Sequence, residues 1–239
     1  MGTVATVELC DPVPDACVLD DVFAWLHEVD RRFSTYRPDS EVNRLDRGEL
    51  SHDSCSDDLR YVLNECTRLW RETDGYFDVY ATGRLDPSGY VKGWSVQRAS
   101  EMLTAAGVPN HLVDAGGDIQ TRHRLAPRRS WEVGVRHPWE REKVAWVLAG
   151  TDLAVATSGT YERGHHVINP RTGAPARALI SVTVVGRDLA DADAYATAAL
   201  AMGTAAMDWL SDLDGYSSAV VAADGTCYVS ADLPLHDPA

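Results

Sequence analysis

The chain has 239 residues, enough to bury a sizeable core, and its apolar (45%) and charged (24%) fractions are those of a globular protein. Its formal net charge of -14, from 36 acidic against 22 basic residues, argues against nucleic acid or an anionic membrane as partner unless a local basic patch overrides it. No such patch is present: the densest basic cluster, between Arg122 and Arg129, is interrupted by His123, Leu125, Ala126 and Pro127. The five cysteines, Cys10, Cys17, Cys55, Cys66 and Cys227, form neither a CxxC pair nor a disulfide framework, which fits a reducing compartment. No charged-then-apolar leader pattern opens the chain and no apolar run approaches the length of a membrane span, so a soluble, cytoplasmic protein is expected.

In chain order, residues 3–9 alternate as a strand, and 18–33 read as an amphipathic helix through Val22, Phe23, Leu26 and Val29. Pro38 and Asp39 mark a turn, after which Ser40 can cap a short helix over 41–45. Tyr36 sits at the mouth of that turn, either as a loop tyrosine or as a ring that stacks on a base or flavin. The helix predicted over 57–73 carries a core stripe of Leu59, Val62, Leu63, Cys66, Leu69 and Trp70, with Ser56 as cap and Gly75 as stop.

The segment Asp86-Pro-Ser-Gly-Tyr-Val-Lys-Gly93 reads as a glycine-bearing turn leading into a helix over about 95–106, whose buried face is Val96, Ala99, Leu103 and Ala106. Free N–H groups at a helix start, with the cation of Lys92, suit a phosphate; the alternative is an ordinary loop, since the full P-loop spacing is absent. A second glycine turn follows at Asp114-Ala-Gly-Gly-Asp-Ile119, and then strands at 119–123, 131–137, 144–148, 152–157 and 179–185. Long helices followed by many strands predict an α+β fold, a single large domain over 1–239 with a mixed or antiparallel sheet and packed helices.

Residues 156–173 crowd hydroxyls, His165, His166, Arg163 and Arg171 into one stretch. Either imidazole is poised near neutral pH to act as a base; adjacent side chains on an extended strand point to opposite faces, which argues against both binding one metal ion. On the alanine-rich helix predicted over 190–202, Asp193 and Thr197 share one face, and hard oxygen ligands of this kind suit Mg²⁺. The alternative has Asp191 and Asp193 as acids favoured by the helix dipole.

Taken together, Ser34-Thr-Tyr36, Asp39-Ser-Glu-Val-Asn-Arg-Leu45, Asp74-Gly-Tyr-Phe-Asp78, Lys92-Gly93, Ala115-Gly-Gly-Asp-Ile119, Thr157-Ser-Gly159, His166-Val-Ile, Pro170-Arg-Thr-Gly173 and Ser181-Val-Thr-Val-Val185 occur in an order that resembles the ApbE-type FAD:protein FMN transferases over nearly the whole chain. The resemblance implies Mg²⁺-dependent cleavage of FAD, transfer of FMN to a Ser or Thr of an acceptor protein, and release of AMP. Carried over by position, it implies a metal site of the Gly89 carbonyl, Asp193 and Thr197, and FAD contacts from Met1, Tyr36, Asp78, Val79, Tyr80, Asp86, Lys92 and Ile168, with His166 as catalytic base. Its alternatives are an FAD pyrophosphatase that uses water as acceptor, and an FAD-binding protein whose chemistry has decayed. The chain departs from the family pattern in the short segment between Asp78 and Asp86, which predicts a less covered flavin, and in Asn169, where most members have Asp.

Overall fold

The structure is a computed structural model and describes residues 3–12, 15, 17–126, 129–164 and 166–236, without the side chains of Glu162 and Arg163. Strand β1 (Ala5–Leu9) leads into helices α1 (Cys17–Phe33), α2 (Glu41–Asp46), α3 (Asp57–Glu72) and α4 (Ser88–Ala105). Then come β2 (His111–Ala115), β3 (Asp118–Arg122), β4 (Trp131–Arg136), β5 (Val144–Gly150), β6 (Ala154–Gly159), α5 (Thr160–Arg163), β7 (Leu179–Gly186), α6 (Leu189–Met202), α7 (Ala206–Ser211), β8 (Tyr216–Ala222) and β9 (Cys227–Val229). Among the described residues seven strands form one sheet in the order β1-β2-β3-β6-β7-β8-β9, with every neighbouring pair antiparallel, and β4 and β5 form a separate antiparallel ribbon. The expected α+β architecture with an antiparallel sheet is the observed one.

The period-2 alternation of the central strands sends side chains to two separate cores. Ala154 and Ala156 of β6 and Val182 and Val184 of β7 join the helical core, whereas Val155 and Val185 face the other way, onto Val133, Val135 and Leu148 of the β4–β5 ribbon. Local signals in the helices behave as their chemistry requires: the Ser40 and Ser56 hydroxyls accept from the Asn43 and Leu59 amides at 3.2 Å, closing the first turns of α2 and α3. In α3 the stripe of Leu59, Val62, Cys66 and Leu69 is buried, and burial pushes the Cys66 thiol up to about 12, so it behaves as a small apolar side chain. Trp70 departs from that stripe. It lies 50% exposed, with its indole ring against Gly75, the left-handed residue (φ +78°) just past the helix.

Helix α4 differs from its expected form: it begins at Ser88 rather than near Ser95, so Gly89, Lys92 and Gly93 are helical and not part of a preceding turn. Two glycines so close together weaken a helix by local propensity, and here tertiary packing overrides that preference. A Cβ on Gly93 would lie 2.9 Å from Asp193 Cβ and 3.0 Å from the Leu189 carbonyl carbon, so the glycine is what lets α4 cross against α6 at backbone contact. The helix start is set by Pro87 at φ -84° and by the Asp86 carboxylate, which accepts the Ser88 amide at 3.0 Å. Among the described residues no helix is long and apolar enough to cross a membrane.

Candidate functional site

A cavity of about 700 Å³ opens where the first turns of α4 meet the middle of α6, the β2–β3 turn and the end of β6. The β2–β3 turn is a two-residue hairpin in which Ala115 pairs with Asp118, and Gly116 and Gly117 take φ of +63° and +93°. Left-handed backbone at both turn positions matches the twist of the flanking strands and favours glycine. Asp114 closes the turn by accepting the Gly117 amide at 2.9 Å, and burial raises its carboxyl above the ordinary range. The turn thus delivers Asp118, fully buried, to the underside of the cavity.

The buried ionic centre consists of Asp118, Asp193 and Lys92. Lys92 Nζ lies 2.7 Å from Asp118 Oδ2 and 3.9 Å from Asp193 Oδ1. Asp193 Oδ2 accepts the Gly93 amide at 3.0 Å, a group that in a regular helix would answer the Gly89 carbonyl. Burial first, and the neighbouring Asp118 carboxylate next, push the Asp193 carboxyl well above its usual range, against the pull of Lys92. Two carboxylates against one ammonium leave one uncompensated negative charge in a desolvated place when all three are ionised, an arrangement that favours a cation.

One turn further along α6, Thr197 presents its hydroxyl to the same cavity, 3.1 Å from Ser158 Oγ at the end of β6. A Cβ on Gly89 would meet Thr197 Oγ1 and the Phe77 ring at 3.2 Å, so the Gly89 backbone and the Thr197 hydroxyl are direct neighbours. Among the described residues no three His, Cys, Asp or Glu side chains cluster for a metal. The donors here are of another kind: the Asp193 carboxylate and the Thr197 hydroxyl, with the Gly89 backbone beside Thr197, hard oxygens that suit Mg²⁺ better than zinc. A close cradle at Gly89, where an added Cβ would press on Thr197 and Phe77 at 3.2 Å, beside a buried site with an excess negative charge, fits a small divalent cation.

At the cavity mouth stand Tyr36, 83% exposed, and His166. The His166 ring Nδ1 lies 3.0 Å from the Gly164 carbonyl, which can only accept, so in the neutral imidazole Nδ1 carries the proton and Nε2 the lone pair. Arg136 lies over the Tyr161 ring at 4.7 Å, and both line the cavity together with Thr157 and Ser158.

Of the residues singled out from sequence, Tyr36, Asp86, Gly89, Lys92, His166, Asp193 and Thr197 line this one cavity. Asp78, Val79, Tyr80 and Ile168 are not among its lining residues, and Met1 and His165 lie outside the described residues. Asp78 instead closes a local turn by accepting the Tyr80 amide at 2.8 Å, and Val79 gives its carbonyl to the Asp86 amide at 2.8 Å. The stretch from His166 to Ile168 departs from the extended form expected from sequence. The segment is not a strand: Gly164 turns the chain at φ +68°, the His166 amide returns to the Gly164 carbonyl at 2.9 Å, and Ile168 makes an isolated bridge to Pro175. Sequence reasoning gave no role to Asp118 or Ser158, although both stand in the quoted motifs; the signal that could have found Asp118 is a carboxylate directly after a Gly-Gly turn.

A family model described as the ApbE family matches residues 1–83 and 80–221. The chain is 36% identical over 138 residues to the FAD:protein FMN transferase of Treponema pallidum (strain Nichols), a match covering 50% of this chain and 38% of that protein. It is 27% identical over 237 residues to the FAD:protein FMN transferase of Vibrio cholerae, covering 74% of this chain and 71% of that protein. Among solved structures it superposes on the flavin transferase ApbE from Vibrio cholerae with a TM-score of 0.85 at 23% identity, over 97% of this chain and 94% of that one. The ApbE protein of Thermotoga maritima gives a TM-score of 0.81 at 22% identity, over 96% and 94%. These structural likenesses show the fold, and the match of the family model over most of the length shows the family: the chain belongs to the ApbE family.

Proposed function

We propose that the protein is a flavin transferase that cleaves FAD at its pyrophosphate, passes the FMN phosphoryl group to a Ser or Thr hydroxyl of an acceptor protein and releases AMP. The observation that carries this reading is the convergence, in one cavity, of hard oxygen donors on α6 and α4, a lysine, and an imidazole with a free Nε2. Phosphoryl transfer asks for little else from a protein: positioning, charge neutralisation and a base near the attacking hydroxyl.

In this reading each residue of the cavity takes a part. Tyr36 offers an exposed ring face on which the isoalloxazine or adenine can stack. Lys92, which lines the cavity, presents positive charge to the pyrophosphate. His166 Nε2 takes the proton of the acceptor hydroxyl as its oxygen bonds to the FMN phosphorus; the bridging P–O bond breaks and AMP leaves with that oxygen. Asp193, Thr197 and the Gly89 carbonyl would hold Mg²⁺, which when bound offsets negative charge on the phosphate oxygens.

The test is incubation of the purified protein with FAD and Mg²⁺, alone and with candidate acceptor proteins, scoring AMP and acceptor-bound flavin. Asp193→Ala should abolish Mg²⁺-dependent AMP release with the fold intact by circular dichroism. Wild-type activity of that variant at low Mg²⁺ would place the metal elsewhere. AMP produced at the full rate without any acceptor, and no flavin on protein, would favour the pyrophosphatase, for which the exposure of Tyr36 and His166 at the mouth gives water a path.

A further inference from the structure

Asp118 has no part in the roles assigned above, yet it is the most enclosed charge of the site. It is 0% exposed, does not line the cavity, and neither of its oxygens takes a well-aligned hydrogen bond. A buried carboxylate in that condition is costly unless a cation answers it. The cation is Lys92, 2.7 Å from Asp118 Oδ2 and 1.2 Å farther, at 3.9 Å, from Asp193 Oδ1. Lys92 reaches between two carboxylates and is drawn to the one at the rear.

We propose that Asp118 is a positioning residue that holds the Lys92 ammonium off Asp193, leaving Asp193 Oδ1 to a divalent cation. This inference rests on the metal site of the proposed function. With Oδ2 bound to the Gly93 amide at 3.0 Å, Oδ1, 3.9 Å from Lys92 Nζ, is the Asp193 atom this proposal gives to the metal. An ammonium that closed onto it would both cover the ligand and repel a second cation. Asp118 prevents this by two means. It is the nearer counter-ion, and it is held at the first position of β3 by the Ala115–Asp118 pairing of a two-residue hairpin. The charge count makes the consequence specific. Asp118, Asp193 and Lys92 sum to -1 when ionised; Asp118→Asn gives 0, Lys92→Met gives -2, and the double variant returns to -1.

The experiment is a titration of metal-free protein with Mn²⁺, following free Mn²⁺ by its electron paramagnetic resonance signal, so no turnover is needed. Asp118→Asn, nearly isosteric, should weaken Mn²⁺ binding at least ten-fold. Lys92→Met should bind at least as tightly as wild type, and adding Lys92→Met to Asp118→Asn should restore the constant to within about three-fold of wild type, since the competing ammonium is gone. A double variant as weak as Asp118→Asn would overturn the proposal and mark Asp118 as a direct ligand or a structural residue. So would Asp118→Asn binding like wild type. If Asp118→Asn fails to fold, Lys92→Met decides alone: weaker Mn²⁺ binding than wild type overturns the proposal. Failure of the underlying metal reading looks different, because Mn²⁺ binding would then be unchanged in Asp193→Ala.

Discussion

Gly93→Ala sets two magnitudes against each other. Alanine is the better helix former by about 1 kcal/mol, so on local grounds the substitution stabilises α4. The structure opposes it: the added methyl would stand 2.9 Å from Asp193 Cβ and 3.0 Å from the Leu189 carbonyl carbon, with the carbonyl oxygen closer still. Carbon contacts settle near ~3.5 Å or beyond, and these atoms belong to helix backbone or to a Cβ, which no rotamer change can move. Helices α4 and α6 must therefore part by roughly half an ångström or more, at an overpacking cost of about 1–3 kcal/mol. The same movement lengthens the 3.0 Å bond from the Gly93 amide to Asp193 and detunes the ionic centre. A net loss of up to about 2 kcal/mol is expected once the propensity gain is subtracted, read as a lower urea midpoint at unchanged slope, together with a large drop in FAD-dependent AMP release. Gly89→Ala is the companion: its nearest neighbours at 3.2 Å are side-chain atoms of Phe77 and Thr197 that can yield, so stability should change little while metal-dependent activity falls. A Gly93→Ala protein as stable as wild type would refute the claim that the α4–α6 crossing requires glycine.

His166→Ala should lower flavin transfer about 10²–10⁴-fold, the usual range for a lost general base, with FAD affinity nearly unchanged; FAD binding lost in parallel would assign the ring a structural role. Asn169→Asp should cost about 1–3 kcal/mol in chemical denaturation: the Asn169 amide donates to the Ala201 carbonyl at 3.0 Å in the last turn of α6, where a carboxylate cannot donate and meets the negative end of the helix. An unchanged midpoint would show that this bond contributes nothing. His111 is fully buried, with Nδ1 2.7 Å from the Val108 carbonyl and Nε2 2.7 Å from Ser100 Oγ, and burial lowers its pKa below the ordinary 6.5. A depressed histidine leaves the unfolded chain binding more protons, so its contribution is whole above about pH 6.5 and declines as the pH falls toward the folded value. The drop in melting temperature from pH 7.5 to 5.5 should accordingly be smaller in His111→Gln than in wild type, and equal drops would remove His111 from the account.

Much of the scaffold was decided locally. The Ser40 and Ser56 caps, the α3 stripe from Leu59 to Leu69, the alternation of β6 and β7 and the Gly116–Gly117 hairpin depend on neighbours in sequence, whose spacing is visible in the chain itself. That Asp193 and Thr197 share one face of α6 was legible as well, because they stand four apart on one helix. Other features were settled only by parts of the chain far apart in sequence. Strand β8 is buried along its whole length, so it shows no alternation to read. Trp70 falls on the stripe by spacing yet turns outward over Gly75. The start of α4 runs against its own glycines because Leu189, nearly a hundred residues later, takes the space a side chain would need. The partnership of Lys92 with Asp118 and the placing of Ser158 beside Thr197 likewise depend on where strands and helices meet. Sequence spacing encodes which face of an element a residue occupies, because that is a property of one backbone; which charge answers which is fixed by distances between backbones, and those exist only once the sheet and helices have packed.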